Sequence, residues 1–322
     1  MVTERRIREF ELIAKLFAPL ATSKAALGLK DDVALLHASA ADDLVLTTDA
    51  IVEGIDFFAR DPADTVAKKA LRINLSDLAA KGAKPIGYLL TLILPGRIDV
   101  RWLRSFAKGL RADQRRFGIT LLGGDLSTTR GPLSVSITAL GSVPKEKVIL
   151  RSGAKPGDLV FVTGTIGDAG GGLAALKTKK RVAALIARYR LPQPRVAFGR
   201  ALLGIASAAI DVSDGLLADL GHLADVSNMR IDIDAARIPR SRALRDLWGP
   251  GEPALVRAAT AGDDYEIAFT ARPKDRARVL AAAKRSGTRV SEIGLVKTGG
   301  GVALINSDGR PIRVKKRGWQ HF

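Results

Sequence analysis

Cysteine is absent from the sequence, and only three of its 322 residues are histidines. Without cysteine the chain cannot form disulfides, bind a metal through thiolates or use a cysteine nucleophile. Because there are only three histidines, His37, His222 and His321, we expect no histidine-rich metal site. A chain that uses no disulfide is typical of a reducing compartment, and we expect a cytoplasmic protein.

Long apolar runs are also absent. No stretch of about 18 uncharged apolar residues occurs, so we expect no membrane span. The N-terminal residues MVTERRIREF lack the apolar segment and the cleavage site of a secretory leader. The serine hydrolase motif GxSxG is missing as well. Membrane-spanning proteins and the common cysteine and serine hydrolases are therefore excluded.

Acidic residues are the minority charge, because 33 Asp and Glu stand against 51 Lys and Arg, a net charge of +18. Nucleic-acid binding favours basic residues interleaved with aromatics. Aromatics make up only 5% of this chain, and the basic run at residues 177–181 contains none. A nucleic-acid-binding module is therefore the weakest interpretation, and we expect no such partner. The excess charge favours encounter with small anionic substrates.

Apolar spacing predicts alternating strands and helices, which is typical of an α/β or α+β fold. Predicted helices cover residues 5–17, 65–80, 100–117, the region around 173–176, and 216–223; predicted strands cover 44–48, 87–94, 119–122, 133–142, 159–163 and 208–212. Asp64 or Thr65 is the expected cap of the second helix, and Gly82 and Gly118 are stop signals. A turn-rich joint at 151–158 predicts two domains, residues 1–148 and 149–322.

Aspartates collect beside Gly, Ser, Thr and Asn at predicted strand ends and turns. These segments are KDDV (30–33), TTD (47–49), NLSD (74–77), GGD (123–125), DVSDG (211–215) and GDDYE (262–266). Carboxylate and hydroxyl oxygens on rigid turns suit a hard cation such as Mg²⁺. Each segment alone is equally typical of a turn or helix cap. Asp77 differs because it lies inside a predicted amphipathic helix, where it is either functional or a solvent-exposed residue.

A glycine-rich loop, GTIGDAGGG at residues 164–172, follows a predicted strand and precedes a helix. Its backbone N–H groups could cradle a phosphate. The loop matches neither GxGxxG nor GxxxxGK(S/T), the two common nucleotide-binding motifs. We therefore favour a structural turn for this loop over a phosphate site.

Taken in order, the motifs resemble the thiamine-monophosphate kinase family of the aminoimidazole-ribonucleotide-synthetase-like superfamily. The matching stretches are LGLKDDVALL (27–36), TTDAIVEGIDFF (47–58), KALRINLSDLAAKGAKP (69–85), LLGGDLSTTRGPLSVSITALG (121–141), RSGAKPGDLVFVTGTIGDAGGGL (151–173), AIDVSDGLLADLGHL (209–223), AGDDYEIAFT (261–270) and GWQHF (318–322). Each motif alone is modest, but the ordered set spans nearly the whole chain.

The resemblance implies ATP- and Mg²⁺-dependent phosphorylation of thiamine monophosphate to thiamine diphosphate. It implies several Mg²⁺ ions held by Asp32, Thr47, Thr48, Asp49, Asp77, Asp125, Asp211 and Asp214. Implied ATP contacts are Gly124, Asp125, Arg151 and Ser213, and implied substrate contacts are Asp56, Asp263 and Trp319. Asp77, Asp214 and Arg151 are the implied catalytic residues. The implied fold is a two-domain synthetase-like fold, with N-terminal strands pairing across a homodimer and a C-terminal α/β sandwich.

The chemistry of the reactants fits these residue types. The attacking phosphate oxygen is largely ionised near neutral pH, because the second pKa of a phosphate is about 6. A general base is therefore not required, and we expect direct in-line transfer without a phospho-enzyme. Arg151 can neutralise ATP phosphates as a planar fork donor. Trp319 can stack on the cationic thiazolium ring of the substrate.

Three positions depart from the family pattern and keep two alternatives open. Lys30 stands where the family has glycine, Asp56 where histidine is common, and Asp263 where glutamate is usual. One alternative is another ATP-dependent enzyme of the superfamily, of the amide-activating cyclo-ligase type. The other is a non-catalytic nucleotide-binding relative.

Overall fold

The computed structural model describes residues 9–30, 33–37, 39–96 and 99–320. Its contacts divide the chain into two units, residues 1–74 with 85–142 and residues 75–84 with 143–322. Both units combine helices with a sheet, so the predicted α/β class is confirmed. The boundary after residue 148 stays a prediction, and it does not anticipate that residues 75–84 belong with the second half.

The first unit is built on a four-stranded sheet in the order β1-β4-β2-β3. The strands are β1 (Asp42–Val52), β2 (Lys84–Pro95), β3 (Thr120–Thr129) and β4 (Ser134–Pro144), and the helices are α1 (Glu9–Leu12), α2 (Ala63–Ala80, shared with the second unit) and α3 (Val100–Phe117). A π-helical turn, Ile13–Phe17, continues from α1. The described part of the helix predicted at 5–17 is therefore helical, with a wider last turn.

Local signals set the bounds of α3, which match the prediction. The Asp99 carboxylate accepts the N–H of Arg101 at 2.8 Å, and Gly118 ends the helix in the left-handed region. Within the first unit, α3 approaches α2 at Gly109, where an added Cβ would lie 2.4 Å from the carbonyl oxygen of Asp64. Close contact between the two helices therefore requires glycine at this position.

Helix α2 corrects two expectations. It begins at Ala63, so Asp64 and Thr65 lie inside its first turn instead of capping it. From Lys69 to Ala80 every residue except Asp77 is buried, so the helix is not amphipathic there. Asp77 is half-buried, so it is not the solvent-exposed helix residue that was one of the two interpretations of this position. No helix in the described ranges is long and apolar enough to cross a bilayer.

The second unit is built on a six-stranded sheet in the order β10-β7-β9-β5-β8-β6. The strands are β5 (Leu159–Thr163), β6 (Ala206–Asp211), β7 (Arg230–Asp234), β8 (Ile267–Ala271), β9 (Val290–Lys297) and β10 (Gly301–Ile305); the helices are α4 (Asp168–Lys177), α5 (Ala183–Arg190), α6 (Val196–Ala201), α7 (Leu216–Ser227), α8 (Arg242–Trp248), α9 (Glu252–Ala259) and α10 (Arg276–Ser286). Only β10 and β7 pair in parallel among the pairings of this sheet that the described residues establish.

Apolar cores cover both faces of this sheet, as the alternation of strand side chains requires. On one face Leu220 of α7 belongs to a buried cluster with Val160 and Val162 of β5. On the other face Phe161 and Phe269 stack, with ring centroids 5.2 Å apart, in a cluster that includes residues of α6 and α10. Helices therefore pack on both faces of the sheet, and α7 follows the loop after β6.

Candidate active site

The loop after β6 is held by one buried carboxylate. Strand β6 ends at Asp211, and the backbone N–H groups of Ser213, Asp214 and Gly215 all donate to Oδ2 of Asp219, at 3.0, 3.1 and 3.0 Å. Gly215 has φ +132°, a conformation that other residues rarely adopt. The sequence SDG followed by an acid one turn into α7 therefore closes a rigid loop that carries Ser213 and Asp214.

Opposing influences act on the Asp219 carboxyl. Burial, and to a lesser degree the charge of nearby Asp214, raise its pKa, the three N–H groups lower it, and the balance is a pKa of about 7.

A second segment, residues 262–265, lies along this loop. The N–H of Asp263 donates to the carbonyl of Ser213 and the N–H of Tyr265 to the carbonyl of Val212, both at 2.7 Å. A Cβ at Gly262 would lie 2.6 Å from the Ser213 carbonyl oxygen, so only glycine allows this approach. Asp263, a predicted substrate residue, is thereby placed beside Ser213, a predicted ATP contact.

The side chain at position 264 anchors the segment from inside. Asp264 is fully buried, and its carboxylate accepts the N–H groups of Gly167 and Ala169 at the start of α4. Burial raises the pKa of Asp264 well above its usual range. These N–H groups are the ones a phosphate would need, so the structural interpretation of the glycine-rich loop is the one the geometry favours.

Glu266 provides a second anchor. Its fully buried carboxylate accepts from Nε and Nη2 of Arg195 at 2.7 and 2.6 Å, from Arg188 at 2.8 Å and from the hydroxyl of Thr163 at 2.6 Å. Flanking this anchor, Asp263 and Tyr265 have φ of +70° and +49°. Strained backbone of this kind persists where surrounding contacts over-determine it.

The C-terminal segment reaches the same loop. The N–H of Trp319 donates to the carbonyl of Asp214 at 2.9 Å, and an added Cβ at Gly318 would lie 2.7 Å from that carbonyl oxygen. The indole is 53% exposed, with the Lys316 ammonium 5.5 Å from its ring centroid. An aromatic face beside a loop of short polar residues can receive a cationic ring.

The end of α2 brings further charges to this unit. The ammonium of Lys81 donates to the carbonyl of Ala209 on β6 at 2.8 Å. Burial and the positive charge of Arg151 lower the pKa of Lys81 to about 8, and the negative charges of Asp211 and Asp77 oppose that change. Two predicted catalytic residues, Asp77 and Arg151, therefore share an electrostatic environment with Asp211.

In the first unit, the TTD segment lies within β1 and not at a turn. The Asp49 N–H donates to the Asn74 side chain at 3.1 Å, and the Thr48 hydroxyl donates to the Ile137 carbonyl at 3.2 Å. Alternation along a strand directs Thr47 and Asp49 to one face and Thr48 to the other. The Thr48 hydroxyl therefore does not share the face of the Asp49 carboxylate, and only its backbone oxygen remains a candidate ligand there.

The GGD segment also lies within a strand. Asp125 pairs with Thr91 of β2, and a Cβ at Gly124 would lie 1.9 Å from the carbonyl oxygen of Leu90. Close strand packing thus accounts for this glycine without a nucleotide. Gly124 and Asp125 line a cavity of about 790 Å³ in the first unit, together with apolar residues that include Phe17 and Leu122.

Asp56 has a local structural role. Its Oδ2 accepts the N–H of Val52 at 2.8 Å, and its carbonyl accepts the Lys69 ammonium at 2.8 Å. These bonds close the turn after β1. Contact between Asp56 and a substrate stays a prediction.

The predicted metal ligands fit Mg²⁺ by donor chemistry, because they supply only carboxylate, hydroxyl and carbonyl oxygens. Asp32 lies outside the described residues. Within the described part of either unit, no three carboxylate or imidazole groups converge closely enough to hold a metal ion. Asp211, the last residue of β6, and Asp214, on the clamped loop that follows, are nevertheless only three residues apart in the chain.

Two residues of this region, Lys81 and Asp219, were not singled out from the sequence. A weak signal exists for each. Lys81 follows Asp77 by four residues, the spacing of neighbours on one helix face. Asp219 lies in the first turn of α7, where an acid can accept N–H groups of the preceding loop.

Comparison with known proteins matches the chain to two family models that together cover most of it. Residues 30–143 match the AIR synthase related protein N-terminal domain, and residues 155–306 match the C-terminal domain of the same family. The two matched segments lie on either side of residues 144–154, which contain the start of the turn-rich joint.

Curated and solved relatives agree with that assignment. The chain is 45% identical to a thiamine-monophosphate kinase of Caulobacter vibrioides over 97% of this chain and 90% of the relative. The crystal structure of a thiamine-monophosphate kinase from Stenotrophomonas maltophilia aligns with a TM-score of 0.85 at 38% identity, covering 95% of this chain and 98% of the other. The structure of AaThiL complexed with AMPPCP and TMP aligns over both full chains with a TM-score of 0.79 at 31% identity.

Proposed function

The chain belongs to the thiamine-monophosphate kinase family, and from that premise we propose how its residues transfer the terminal phosphoryl group of ATP to thiamine monophosphate, giving thiamine diphosphate and ADP. The solved relative complexed with AMPPCP and TMP carries an analogue of the first reactant and the second reactant itself. Neither alternative interpretation, the cyclo-ligase or the non-catalytic relative, is favoured by a comparison of this length and identity.

One observation carries the assignment of the site. The loop with Ser213 and Asp214 is hydrogen bonded along its carbonyl side to Asp263 and Trp319. Residues proposed to contact ATP and residues proposed to contact thiamine monophosphate therefore border the same few peptide groups. Such a junction suits a reaction whose main requirement is alignment of two reactants.

We assign the following roles to residues of the second unit. Trp319 stacks on the thiazolium ring, and Asp263 faces the cationic part of thiamine monophosphate. Arg151 and Ser213 bind the phosphates of ATP. A phosphate oxygen of thiamine monophosphate attacks the γ-phosphorus of ATP in line, the bond to the β,γ-bridging oxygen breaks, and ADP leaves. Asp77 and Asp214 contribute to the catalytic centre. For the first unit, taken by itself, Gly124 and Asp125 are the proposed ATP contacts.

Magnesium is the proposed cofactor. Its candidate ligands in the first unit are Asp32, Thr47, Thr48, Asp49 and Asp125, and those in the second unit are Asp77, Asp211 and Asp214. Bound Mg²⁺ would supply positive charge that offsets the repulsion between two phosphate-bearing reactants. The protein contributes rigid placement of its carboxylates, for which the clamped loop at residues 213–215 gives direct support.

We also propose that the enzyme is a homodimer that works in the cytoplasm, where ATP is available. Strand β1 is eleven residues long and, among the described residues, has a sheet neighbour on one side only. Leu44 and Leu46 of β1 and Leu89 of β2 are exposed. An open edge with apolar side chains favours pairing with a second copy of the chain.

The test is an assay of the purified protein with Mg-ATP and thiamine monophosphate, following ADP and thiamine diphosphate. We expect turnover, and we expect Asp77→Asn and Asp214→Asn to lower kcat by about 10²-fold or more because carboxylates at a phosphoryl-transfer centre are lost. Asp225→Asn, an exposed position on α7, is the matched control. Binding of Mg-ATP without product would support the non-catalytic alternative, and full activity of both variants would contradict the roles of Asp77 and Asp214.

A further inference from the structure

We propose that Asp219 is a positioning residue that sets the geometry of three consecutive peptide groups, and through them orders both substrate-binding segments. The inference rests on the proposed function, because Asp263 and Trp319 are assigned to the substrate there. It assigns a role to a residue that touches none of the reactants.

Each of the three peptide groups is held on both of its sides. The first joins Val212 to Ser213. Its N–H, which belongs to Ser213, donates to Asp219, and its carbonyl, which belongs to Val212, accepts the N–H of Tyr265. In the second, the N–H of Asp214 donates to Asp219 and the carbonyl of Ser213 accepts from Asp263.

The third peptide group follows the same pattern. The N–H of Gly215 donates to Asp219, and the carbonyl of Asp214 accepts from Trp319. A trans peptide group is planar and directs its N–H and C=O to opposite sides. Fixing the N–H groups on one buried oxygen therefore fixes where the three carbonyls point. These carbonyls accept the backbone N–H groups of Asp263, Tyr265 and Trp319.

Helix or strand hydrogen bonds do not hold these three peptide groups in addition to Asp219. The loop lies between the end of β6 at Asp211 and the start of α7 at Leu216, so its N–H groups lack helix or strand partners over 213–215. Asp219 is 2% exposed, which shields these bonds from water. Loss of the acceptor would leave the N–H groups without a partner in a largely buried place, which the backbone avoids by moving.

The charge of Asp219 adds to its placement. One oxygen accepts three N–H groups, an arrangement suited to a carboxylate, because hydrogen bonds to ionised acceptors are the stronger class. Asparagine can keep one acceptor oxygen at the same distance from the backbone but not the charge. Alanine keeps neither. Graded effects of the two substitutions therefore separate the loss of charge from the loss of the acceptor.

The experiment compares Asp219→Asn, Asp219→Ala and the exposed control Asp225→Asn by hydrogen exchange and by kinetics. In the ligand-free protein we expect the amides of residues 213–215 and of Asp263, Tyr265 and Trp319 to exchange about tenfold faster or more in Asp219→Ala, with β5 unchanged. Asp219→Asn should be intermediate, and Asp225→Asn should match the unmodified protein.

In the kinetic arm we expect kcat to fall by about 10²-fold in Asp219→Ala, because small displacements of reacting groups have effects of that size. Unchanged exchange on the carbonyl side, at Asp263 and Trp319, would overturn the proposal. If Asp219→Ala does not fold, Asp219→Asn decides by the same measurements. Absence of product from the unmodified protein would refute the proposed function, whereas the exchange data test the clamp independently.

Discussion

The ammonium of Lys81 lies among charges of both signs at the end of α2. Its pKa, lowered to about 8 by burial and by Arg151, is well below the value of 10.5 for a free lysine. Asp77 and Asp211 reduce this change but do not cancel it. A lysine in this position can lose its proton at a pH where ordinary lysines keep theirs.

Stability should therefore depend on pH through Lys81. Between pH 8 and 10.5 the unfolded chain holds the proton that the folded chain has released, so this group makes the free energy of unfolding rise with pH. The full rise is roughly 3 kcal/mol. We expect Lys81→Met to remove it, as measured by urea unfolding at pH 7.5, 9 and 10. Lys84→Met, at an exposed position nearby, should retain the rise; parallel curves for Lys81→Met and the unmodified protein would contradict the assignment.

Elements whose ends carry local signals could be predicted from the sequence, whereas those defined by long-range contacts could not. The bounds of α3 follow from Asp99 and Gly118, which act within one turn of the helix. Strand β8 is buried along its whole length, so its sequence lacks the alternation of apolar and polar residues by which a half-buried strand is predicted. Beyond residue 223 the sequence analysis places no helix or strand, so β7 to β10 and α8 to α10 were not predicted.

The same distinction applies to the site. Motif order pointed to Asp214, Asp263 and Trp319 as functional residues through the family resemblance. These residues are brought together by backbone hydrogen bonds between positions as far apart in the chain as 214 and 319, and no local sequence pattern predicts such bonds. The expectation that the acidic segments lie at strand ends and turns was wrong for Asp49 and Asp125, which lie inside β1 and β3, because strands with one polar face also carry such side chains.

A prediction at the scale of elements concerns the seating of the 262–265 segment. In Gly262→Ala the new Cβ would meet the Ser213 carbonyl oxygen at 2.6 Å, a backbone atom that moves only with its loop. We expect a loss of about 1–3 kcal/mol in stability and a higher KM for thiamine monophosphate. Thermal unfolding and steady-state kinetics measure the two effects. Gly300→Ala, with nothing within 4 Å of its new Cβ, is the control; equal KM values in both variants would contradict the seating argument.

For the whole molecule, net charge and apolar surface suggest different partners. The charge of +18 favours approach of anionic reactants, and this attraction weakens as salt is added. The exposed leucines of β1 and β2 instead favour a second copy of the chain. Neighbouring exposed apolar side chains mark surfaces at which a protein associates.

The oligomeric state provides the test at this scale. Leu46, 61% exposed on β1, should be covered in the dimer, so Leu46→Glu should shift the protein to monomer in sedimentation velocity. Leu280→Glu on α10, where the leucine is 49% exposed, should leave the dimer intact. A monomeric unmodified protein, or a dimer that tolerates Leu46→Glu, would rule out this face as the interface.

The assignment of residues 75–84 to the second unit constrains how this enzyme is synthesised and inherited. The ribosome delivers this stretch some sixty residues before the remainder of its unit begins at Val143, so that unit cannot be completed early. A gene fragment starting at codon 143 omits Asp77 and Lys81. Neither half can thus be excised as one contiguous piece, and recombination would have to transmit both together.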